Sequence, residues 1–470
     1  MDWAAGAGQT LWQVLPLNPT GPSGSPYAGL SAFAGSPLVI SPERLSEEGF
    51  LPPSALEEAD LPEGRVDFAA VIPGKERLLR ASWEHFSRHT SPGEREALTQ
   101  FRESPGQDWL ADWALFSALR SRADGLAWTE WDRGLARREQ AALDAARREL
   151  SGEIAFHEYV QFLFFRQWGR IRREARRRGI SILGDIPIYM PADSADVWAN
   201  QSLFALGRDG QPERVAGVPP DTFSPSGQLW GYPLYRWERM QEDGYSWWIR
   251  RIAANLLLAD FVRLDHFRGF VAFWSVPASE PSASGGAWVP GPGPAFFRAV
   301  AEALGEIPAV AEDLGTITPD VRALLDDLGF PGMKVLQFAF SEEDHIFLPR
   351  RHPANSVVYT GTHDNDTARG WFASAQAEER ERALAYLGSD GREIEWDLIR
   401  AAYESVAGTA VVPLQDVFGL GSEARMNTPS TREGNWAWRA RREQFRPDLA
   451  ERLRGLSEVT GRAPGAAPSR

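Results

Sequence analysis

The stretch FVRLDHFRGF, from Phe261 to Phe270, places two cations, a carboxylate and an imidazole directly after a short apolar run. Side chains alternate along a half-buried strand, so Arg263 and Asp265 are expected on the same face. A guanidinium beside a carboxylate keeps the carboxylate ionised and oriented, which prepares it to act as a nucleophile. The alternative is a structural ion pair at the end of a strand.

Three further strand candidates also end on carboxylates, namely Asp185 in GDIPIY, Glu312 with Asp313 in AEDLG, and Asp364 in GTHDND. Each of them alone could be a helix N-cap or a loop anchor. Glycoside chemistry with retained configuration needs a carboxylate nucleophile and a protonatable carboxyl on opposite sides of the glycosidic oxygen. Asp265 suits the nucleophile. Glu312 suits the acid, because the apolar run before it and the negative charge of Asp313 both favour its neutral form.

The HDND segment, from His363 to Asp366, could instead bind a metal ion, because His and Asp are ligands of borderline and hard cations. The chain has only 7 His, and no HExxH motif or paired His spacing accompanies this segment. No glycine-rich phosphate-binding turn follows any strand candidate. We therefore expect no catalytic metal and no cofactor, with a structural Ca²⁺ as the open alternative.

The composition limits the possible partners. In 470 residues, 64 acidic against 50 basic side chains give a formal charge of −14, which disfavours nucleic acid. No apolar run approaches the roughly 20 residues that span a bilayer, so no membrane partner is expected. The absence of Cys removes disulfides and thiolate chemistry and fits a cytoplasmic protein. The 19 Trp suit the flat faces of sugar rings.

Seven apolar runs read as strands, and amphipathic helical segments separate most of the later ones. The runs are LWQVLPL, ISILGDIPIY, FVRLD, IPAVAEDLG, MKVLQFAF, SVVYTGTHD and TAVVPLQD. Alternating strands and helices predict an α/β fold with a parallel sheet. Polar residues at the carboxyl ends of the strands are typical of a (β/α)8 TIM-type barrel, with a doubly wound sheet as the alternative. A closed barrel has eight strands, so we expect the first strand to be missing at the N-terminus.

The barrel is predicted to comprise residues 1–40 and 180–470. Residues 41–179 predict a mainly helical insertion, since their apolar positions recur at the helical period and Gly179 follows a cationic last turn. Residues 190–255 form a longer connection that is rich in Pro, Gly and aromatic residues, which predicts a loop-rich insertion over the active site. The segment 21–38 predicts a folded loop that shapes a cleft rather than a linker.

Segments along nearly the whole chain closely resemble the amylomaltases, the 4-α-glucanotransferases of the α-amylase superclan. In chain order they are SPYAGLSAFAGSPL, GDIPIY with SADVW, PPDTFSPSGQLWGYPLY, VRLDHFRGF, VAEDLG, TGTHDND and RMNTPSTREGNWAWR. The resemblance implies an enzyme that cuts an α-1,4-glucan, holds the glycosyl segment covalently and passes it to another glucan. Its implied substrates are α-1,4-glucans and maltooligosaccharides, with glucose as an acceptor.

The resemblance also implies roles for individual residues. Asp265 is the implied nucleophile, Glu312 the general acid/base and Asp364 the carboxylate that stabilises the transition state. The implied subsite of the transferred sugar is lined by Tyr27, Asp185, Arg263 and His363. The loop over the donor and acceptor subsites carries Asp221, Gln228 and Trp230, and the sugar-binding wall includes Ser25, His266, Asp313 and Asn435.

Two other functions stay open. In a retaining α-glucan hydrolase, water would attack the intermediate in place of a second glucan. A non-catalytic glucan-binding relative is disfavoured because the three catalytic carboxylates are all present. The aromatic, Pro-braced loop at residues 218–235 favours transfer, since such a loop can exclude water and hold an acceptor.

Overall fold

A computed structural model describes residues 1–59, 61–220, 224, 226–431 and 433–463. Its centre is a seven-stranded parallel sheet with the strand order β1-β2-β5-β8-β9-β10-β11. These strands are β1 Leu11–Gln13, β2 Ser181–Ile186, β5 Phe261–Leu264, β8 Ala309–Ala311, β9 Gly332–Val335, β10 Ser356–Tyr359 and β11 Thr409–Val411. Each of the seven runs predicted as strands contributes one of them.

The strand order identifies the architecture as a barrel. In a doubly wound sheet the order reverses at a switch point, whereas here it follows the chain from one edge to the other. Both edge strands, β1 and β11, line one cavity of about 480 Å³. The sheet therefore curves until its two edges face each other, which confirms the barrel prediction with seven strands in the described part of the chain.

The gap between β1 and β11, called the seam below, is the open side of this barrel. The side chains of both edge strands are only partly buried or exposed, whereas all four residues of β10 are buried. Gln13 and Tyr359 line the same cavity, and neither Gln13 Oε1 nor the Tyr359 hydroxyl makes a hydrogen bond of good geometry to a described residue. Among the described residues, no strand pairs with the outer edge of β1 or of β11, so a further parallel strand could pair there.

A helical insertion separates β1 from β2. Its helices are α2 Pro42–Glu47, α3 Pro53–Glu57, α4 Phe68–His89, α5 Pro92–Glu103, α6 Asp108–Arg122, α7 Arg133–Ala136, α8 Gln140–Glu149 and α9 Ser151–Arg177. Side chains of Ser41, Asp67 and Ser91 cap α2, α4 and α5, which fixes where these helices begin. Gly179 follows α9 with a φ of +69°, as expected of a helix stop.

A second, antiparallel sheet has the order β4-β3-β6-β7. Its strands are β3 Arg214–Val218, β4 Gln228–Pro233, β6 Ala272–Pro277 and β7 Ala287–Pro290. The sequence predicts a loop-rich insertion at residues 190–255 without this sheet, and two of the four strands, β6 and β7, lie beyond that range. The sheet gives β4, which carries Gln228 and Trp230, a rigid support next to the barrel.

The remaining helices cover the barrel. They are α1 Asp2–Gly6, α10 Ala195–Ala199, α11 Trp237–Glu242, α12 Ser246–Leu258, α13 Gly293–Leu304, α14 Pro319–Leu328, α15 Ala368–Ser374, α16 Ala377–Leu387, α17 Ile394–Glu404, α18 Leu414–Val417 and α19 Pro447–Val459. Trp128, Trp198, Trp247 and Trp248 are fully buried, so packing rather than sugar binding accounts for these four. Within the residues that the structure describes, no helix is long and apolar enough to cross a membrane.

Candidate active site

Four strand ends bring the predicted carboxylates to one end of the barrel. Asp185 lies within β2, Asp265 directly follows β5, Glu312 directly follows β8, and Asp364 lies in the loop after β10. Because all four strands are parallel, their carboxyl ends open on the same side, where barrel enzymes carry their active sites.

Arg263 is the centre of this site. Its Nη2 lies 2.8 Å from Asp265 Oδ1, and its Nη1 lies 2.7 Å from Asp185 Oδ2. The Tyr27 hydroxyl donates a hydrogen bond of 2.7 Å to the same Asp185 oxygen. Burial opposes the charge of Arg263, but the negative charges of Asp185 and Asp265 outweigh it and hold its pKa well above the ordinary value. The expected placement of Arg263 and Asp265 on one face is confirmed.

Glu312 is held by two backbone donors. The N–H of His266 donates to Glu312 Oε2 over 2.8 Å, and the N–H of Leu314 donates to Oε1 over 2.7 Å. Burial raises the pKa of Glu312 to about 7; the charge of Arg263 opposes this shift and that of Asp265 adds to it. A carboxyl with this pKa can both give and take a proton near neutral pH.

Asp313 faces away from Glu312. Its Oδ1 accepts a hydrogen bond of 2.6 Å from the N–H of Met333, and its Oδ2 lies 3.4 Å from Lys334 Nζ. The carboxylate therefore fastens the loop after β8 to β9. The sequence predicts Asp313 as the source of the negative charge that acts on Glu312. In the structure that charge comes from Asp265. Asp313 is directed elsewhere because successive side chains in an extended segment point to opposite sides.

Three aromatic rings cluster beside the Asp364 loop. The Tyr27 and His363 rings are nearly parallel, with centroids 5.0 Å apart and an interplanar angle of 21°. The Trp436 ring lies 5.9 Å from Tyr27 and 5.8 Å from His363. Trp436 is not among the predicted site residues, although it lies in the motif RMNTPSTREGNWAWR.

Oxygen atoms of the HDND segment are engaged with protein donors. Asn365 Oδ1 accepts hydrogen bonds from the N–H and the hydroxyl of Thr362, each of 2.9 Å. Asp366 Oδ2 accepts one of 2.7 Å from Ser422. Asp364 Oδ1 accepts one of 2.7 Å from the side chain of Asn427. Over the described ranges, no group of three or more His, Asp and Glu side chains is placed to hold a metal ion.

Trp230, His266, Gln228 and Tyr189 form an aromatic wall on another side of the site. The Trp230 ring meets the edge of His266 at 4.8 Å, and its Nε1 donates to Gln228 Oε1 over 3.1 Å. Burial lowers the pKa of His266 to about 4, so this imidazole is neutral at pH 7. Tyr189 lies 6.2 Å from Trp230, and Tyr232 is close enough to Asp265 that burial and this negative charge raise its pKa. Tyr189 is not among the residues predicted from the sequence.

Comparison with known proteins identifies the family. Residues 1–444 match the sequence model of the family described as 4-alpha-glucanotransferase. The chain is 48% identical over 465 residues to the 4-alpha-glucanotransferase of Thermus thermophilus, a match that covers 97% of this chain and 92% of that protein. The chain belongs to the 4-alpha-glucanotransferase family.

Other relatives agree with this assignment. The chloroplastic/amyloplastic 4-alpha-glucanotransferase of Solanum tuberosum is 45% identical, over 98% of this chain and 82% of that protein. The solved amylomaltase from Streptococcus agalactiae in complex with acarbose has a TM-score of 0.95 and 35% identity, over 98% of this chain and 94% of that one. This glucanotransferase is thus a transferase enzyme, as the resemblance implied.

Three further residues are predicted to bind sugar in this glucanotransferase, namely Ser25, Asn435 and Asp221. Ser25 lies two residues before Tyr27 in the same loop. Asn435 Oδ1 accepts a hydrogen bond of 2.8 Å from the N–H of Thr428, and its Nδ2 donates to Thr431. The Asn435 side chain therefore stabilises the local turn by bonding to Thr428 and Thr431. Asp221 lies outside the described residues, as do its neighbours at positions 222 and 223.

Proposed function

We propose that this glucanotransferase moves α-1,4-glucan segments from a donor to an acceptor by double displacement through Asp265. The observation that carries the proposal is the pair of carboxyls with opposite surroundings. Asp265 is ion-paired with a buried guanidinium, while Glu312 is buried with a pKa of about 7. A carboxylate held by a guanidinium, next to a buried carboxyl with a raised pKa, is typical of a nucleophile and an acid in glycoside chemistry.

In the first step, an Asp265 oxygen attacks the anomeric carbon of the donor and the glycosidic C–O bond breaks. Glu312 gives its proton to the departing 4-oxygen, so the released part of the donor leaves with a free 4-hydroxyl. The glycosyl segment remains as an ester on Asp265. The contact of Arg263 Nη2 with Asp265 Oδ1 orients the Asp265 carboxylate for this attack.

In the second step, the 4-hydroxyl of the acceptor gives its proton to the ionised Glu312 and attacks the same carbon. The ester bond breaks, and Asp265 regains its negative charge and its ion pair. One glycosidic bond has then been broken and one made. A pKa of about 7 allows Glu312 to serve as acid and as base in turn.

We propose that Asp364 stabilises the positive charge that develops at the sugar ring in both steps. Its side chain is 49% exposed, so it can reach a ligand in the cleft. Tyr27, Asp185, Arg263 and His363 form one connected cluster beside it, which suits the subsite of the transferred sugar. Sugar contacts of Gln228, Trp230, His266, Asp221, Ser25, Asp313 and Asn435 stay predictions, as does the cytoplasmic location.

A retaining hydrolase would use the same three carboxylates, so the acceptor side distinguishes the two functions. Water is abundant, yet a bound and oriented acceptor can reach effective molarities of about 10⁵ M or more. The wall of Trp230, His266 and Tyr189 next to Glu312 supports an acceptor position of this kind. The amylomaltase of Streptococcus agalactiae was solved in complex with acarbose, which supports a sugar-like ligand for this chain as well.

Trapping the covalent intermediate tests these roles. With a glycosyl donor whose leaving group needs no proton, Glu312→Gln should still form the ester on Asp265 and then stall, because no base activates the acceptor. Asp265→Asn should form no ester. Mass spectrometry of the intact protein measures both outcomes, and an ester accumulating in the Asp265→Asn variant would overturn the assignment.

A further inference from the structure

The segment that follows α18 lies against the Asp364 loop. We call its residues 425–431 and 433–436 the strap. Asn427 Nδ2 donates a hydrogen bond of 2.7 Å to Asp364 Oδ1, and Arg425 Nη2 donates one of 2.7 Å to the Asp364 carbonyl. The backbone N–H of Asn427 donates to the His363 carbonyl over 3.1 Å. The strap thus forms hydrogen bonds with the backbone of His363 and Asp364 and with the side chain of Asp364.

The strap is itself held in place. Arg425 Nε donates to the Asn427 carbonyl over 2.8 Å, and the N–H of Trp436 donates to the Met426 carbonyl over 2.7 Å. Arg65, from the helical insertion, donates to the Gly434 carbonyl over 3.0 Å. The Trp436 ring packs against His363 at 5.8 Å. With these restraints, the Asn427 amide has a defined position from which to orient a neighbour.

The two oxygens of Asp364 have different surroundings. Oδ1 accepts from Asn427, and His363 Nε2 lies 3.4 Å from the same oxygen. Within the part of the chain that the structure describes, the hydrogen bonds to Asp364 go to Oδ1 and to the carbonyl, and none goes to Oδ2. A carboxylate fixed through one oxygen has its rotation fixed as well, and its other oxygen remains free for a ligand.

We propose that Asn427 is a positioning residue that orients Asp364, so that Oδ2 faces the sugar ring at the transition state. The proposal rests on the function proposed above for Asp364. Asn427 acts through Asp364 and need not touch the substrate. A hydrogen bond from a neutral amide to a charged carboxylate is strong enough that its loss should slow the reaction by about 10- to 100-fold.

The test measures the rate of ester formation on Asp265 with the activated donor, together with KM and the melting temperature. Asn427→Ala should lower the rate about 10- to 100-fold, with KM changed less than the rate and the melting temperature within that of the control. Asn427→Asp keeps the shape but faces Asp364 with a second carboxylate, so its loss of rate should grow as pH rises and that carboxylate ionises. The control is Asn355→Ala, because Asn355 is exposed and its side chain donates to the Gly329 carbonyl away from the site.

Combining Asn427→Ala with Asp364→Ala separates positioning from other roles. If Asn427 acts through Asp364, Asn427→Ala should have almost no further effect once Asp364 is alanine. A full additional loss in that background would overturn the positioning role, as would a loss of rate matched by a large drop in melting temperature. If Asp364→Ala alone kept the full rate, the function proposed for Asp364 would fail, and the positioning role would fall with it.

Discussion

The backbone N–H of His266, the residue that follows Asp265, donates a hydrogen bond of 2.8 Å to Glu312 Oε2. The proposed acid/base is thereby fastened to the turn that carries the proposed nucleophile. A second backbone donor, the N–H of Leu314, holds the other oxygen of Glu312. Because these donors satisfy the carboxyl inside the protein, burial can raise its pKa to about 7 without leaving a polar group unpaired.

The raised pKa of Glu312 predicts the pH dependence of the first step. Glu312 must be protonated to release an ordinary glucan, so kcat/KM for the donor should fall as pH rises above about 7, by about tenfold per pH unit. With a donor whose leaving group needs no proton, this fall of kcat/KM at high pH should largely disappear. Rates for both donors between about pH 5 and 9 check the prediction. If kcat/KM fell in the same way with both donors, a group other than Glu312 would be responsible for the fall.

Arg263 should be indispensable because it neutralises two carboxylates at once. Its side chain is only 6% exposed, and that of Asp185 is fully buried. Arg263→Met should destabilise the fold by about 3–5 kcal/mol, since it leaves these charges unpaired. Arg263→Lys keeps the charge but cannot bridge both partners, so it should retain more stability and still lose most of the activity.

Urea unfolding and the donor kcat/KM check this prediction for Arg263. The matched control is Arg350→Lys, because Arg350 lies in a surface ion pair with Asp344 and should change neither quantity. A fully active Arg263→Lys variant would show that bridging Asp185 and Asp265 is unnecessary.

Trp230 should influence where the glycosyl segment goes. Trp230→Ala removes the aromatic wall beside His266, so acceptors should bind worse and water should capture more of the intermediate. We expect transfer to drop by about tenfold, a loss of roughly 1.4 kcal/mol, while the hydrolysed fraction rises. Leu229→Ala is the control, because Leu229 directly precedes Trp230 on β4 and is exposed. An unchanged ratio of transfer to hydrolysis in the Trp230 variant would count against the acceptor wall.

The seam between β1 and β11 predicts reduced stability for the chain with these seven barrel strands. Unpaired strand edges and partly buried apolar side chains leave hydrogen bonds and burial unused. A form of the protein in which a further parallel strand pairs at the seam should therefore melt at a higher temperature. Calorimetry of both forms checks this, and equal melting temperatures would contradict it.

The sequence predicted the barrel because each of its strands is a short apolar run that ends on polar residues. The antiparallel sheet escaped prediction because β3 and β4 lie in a segment rich in Gly and Pro, which is typical of loops. Within the site, Arg263 and Asp265 could be paired from spacing alone. The contact of Asn427 with Asp364 could not, because 63 positions separate them along the chain. The direction of Asp313 also required the observed turn after β8.

The product ladder from maltotriose tests the central claim most directly. Transfer breaks one α-1,4 bond for each one it makes, so the purified protein should produce glucose and longer maltooligosaccharides while the total of reducing ends stays nearly constant. EDTA should leave the rate unchanged. If reducing ends rose as fast as maltotriose disappeared, with no product longer than the starting sugar, transfer through Asp265 would be contradicted in favour of hydrolysis.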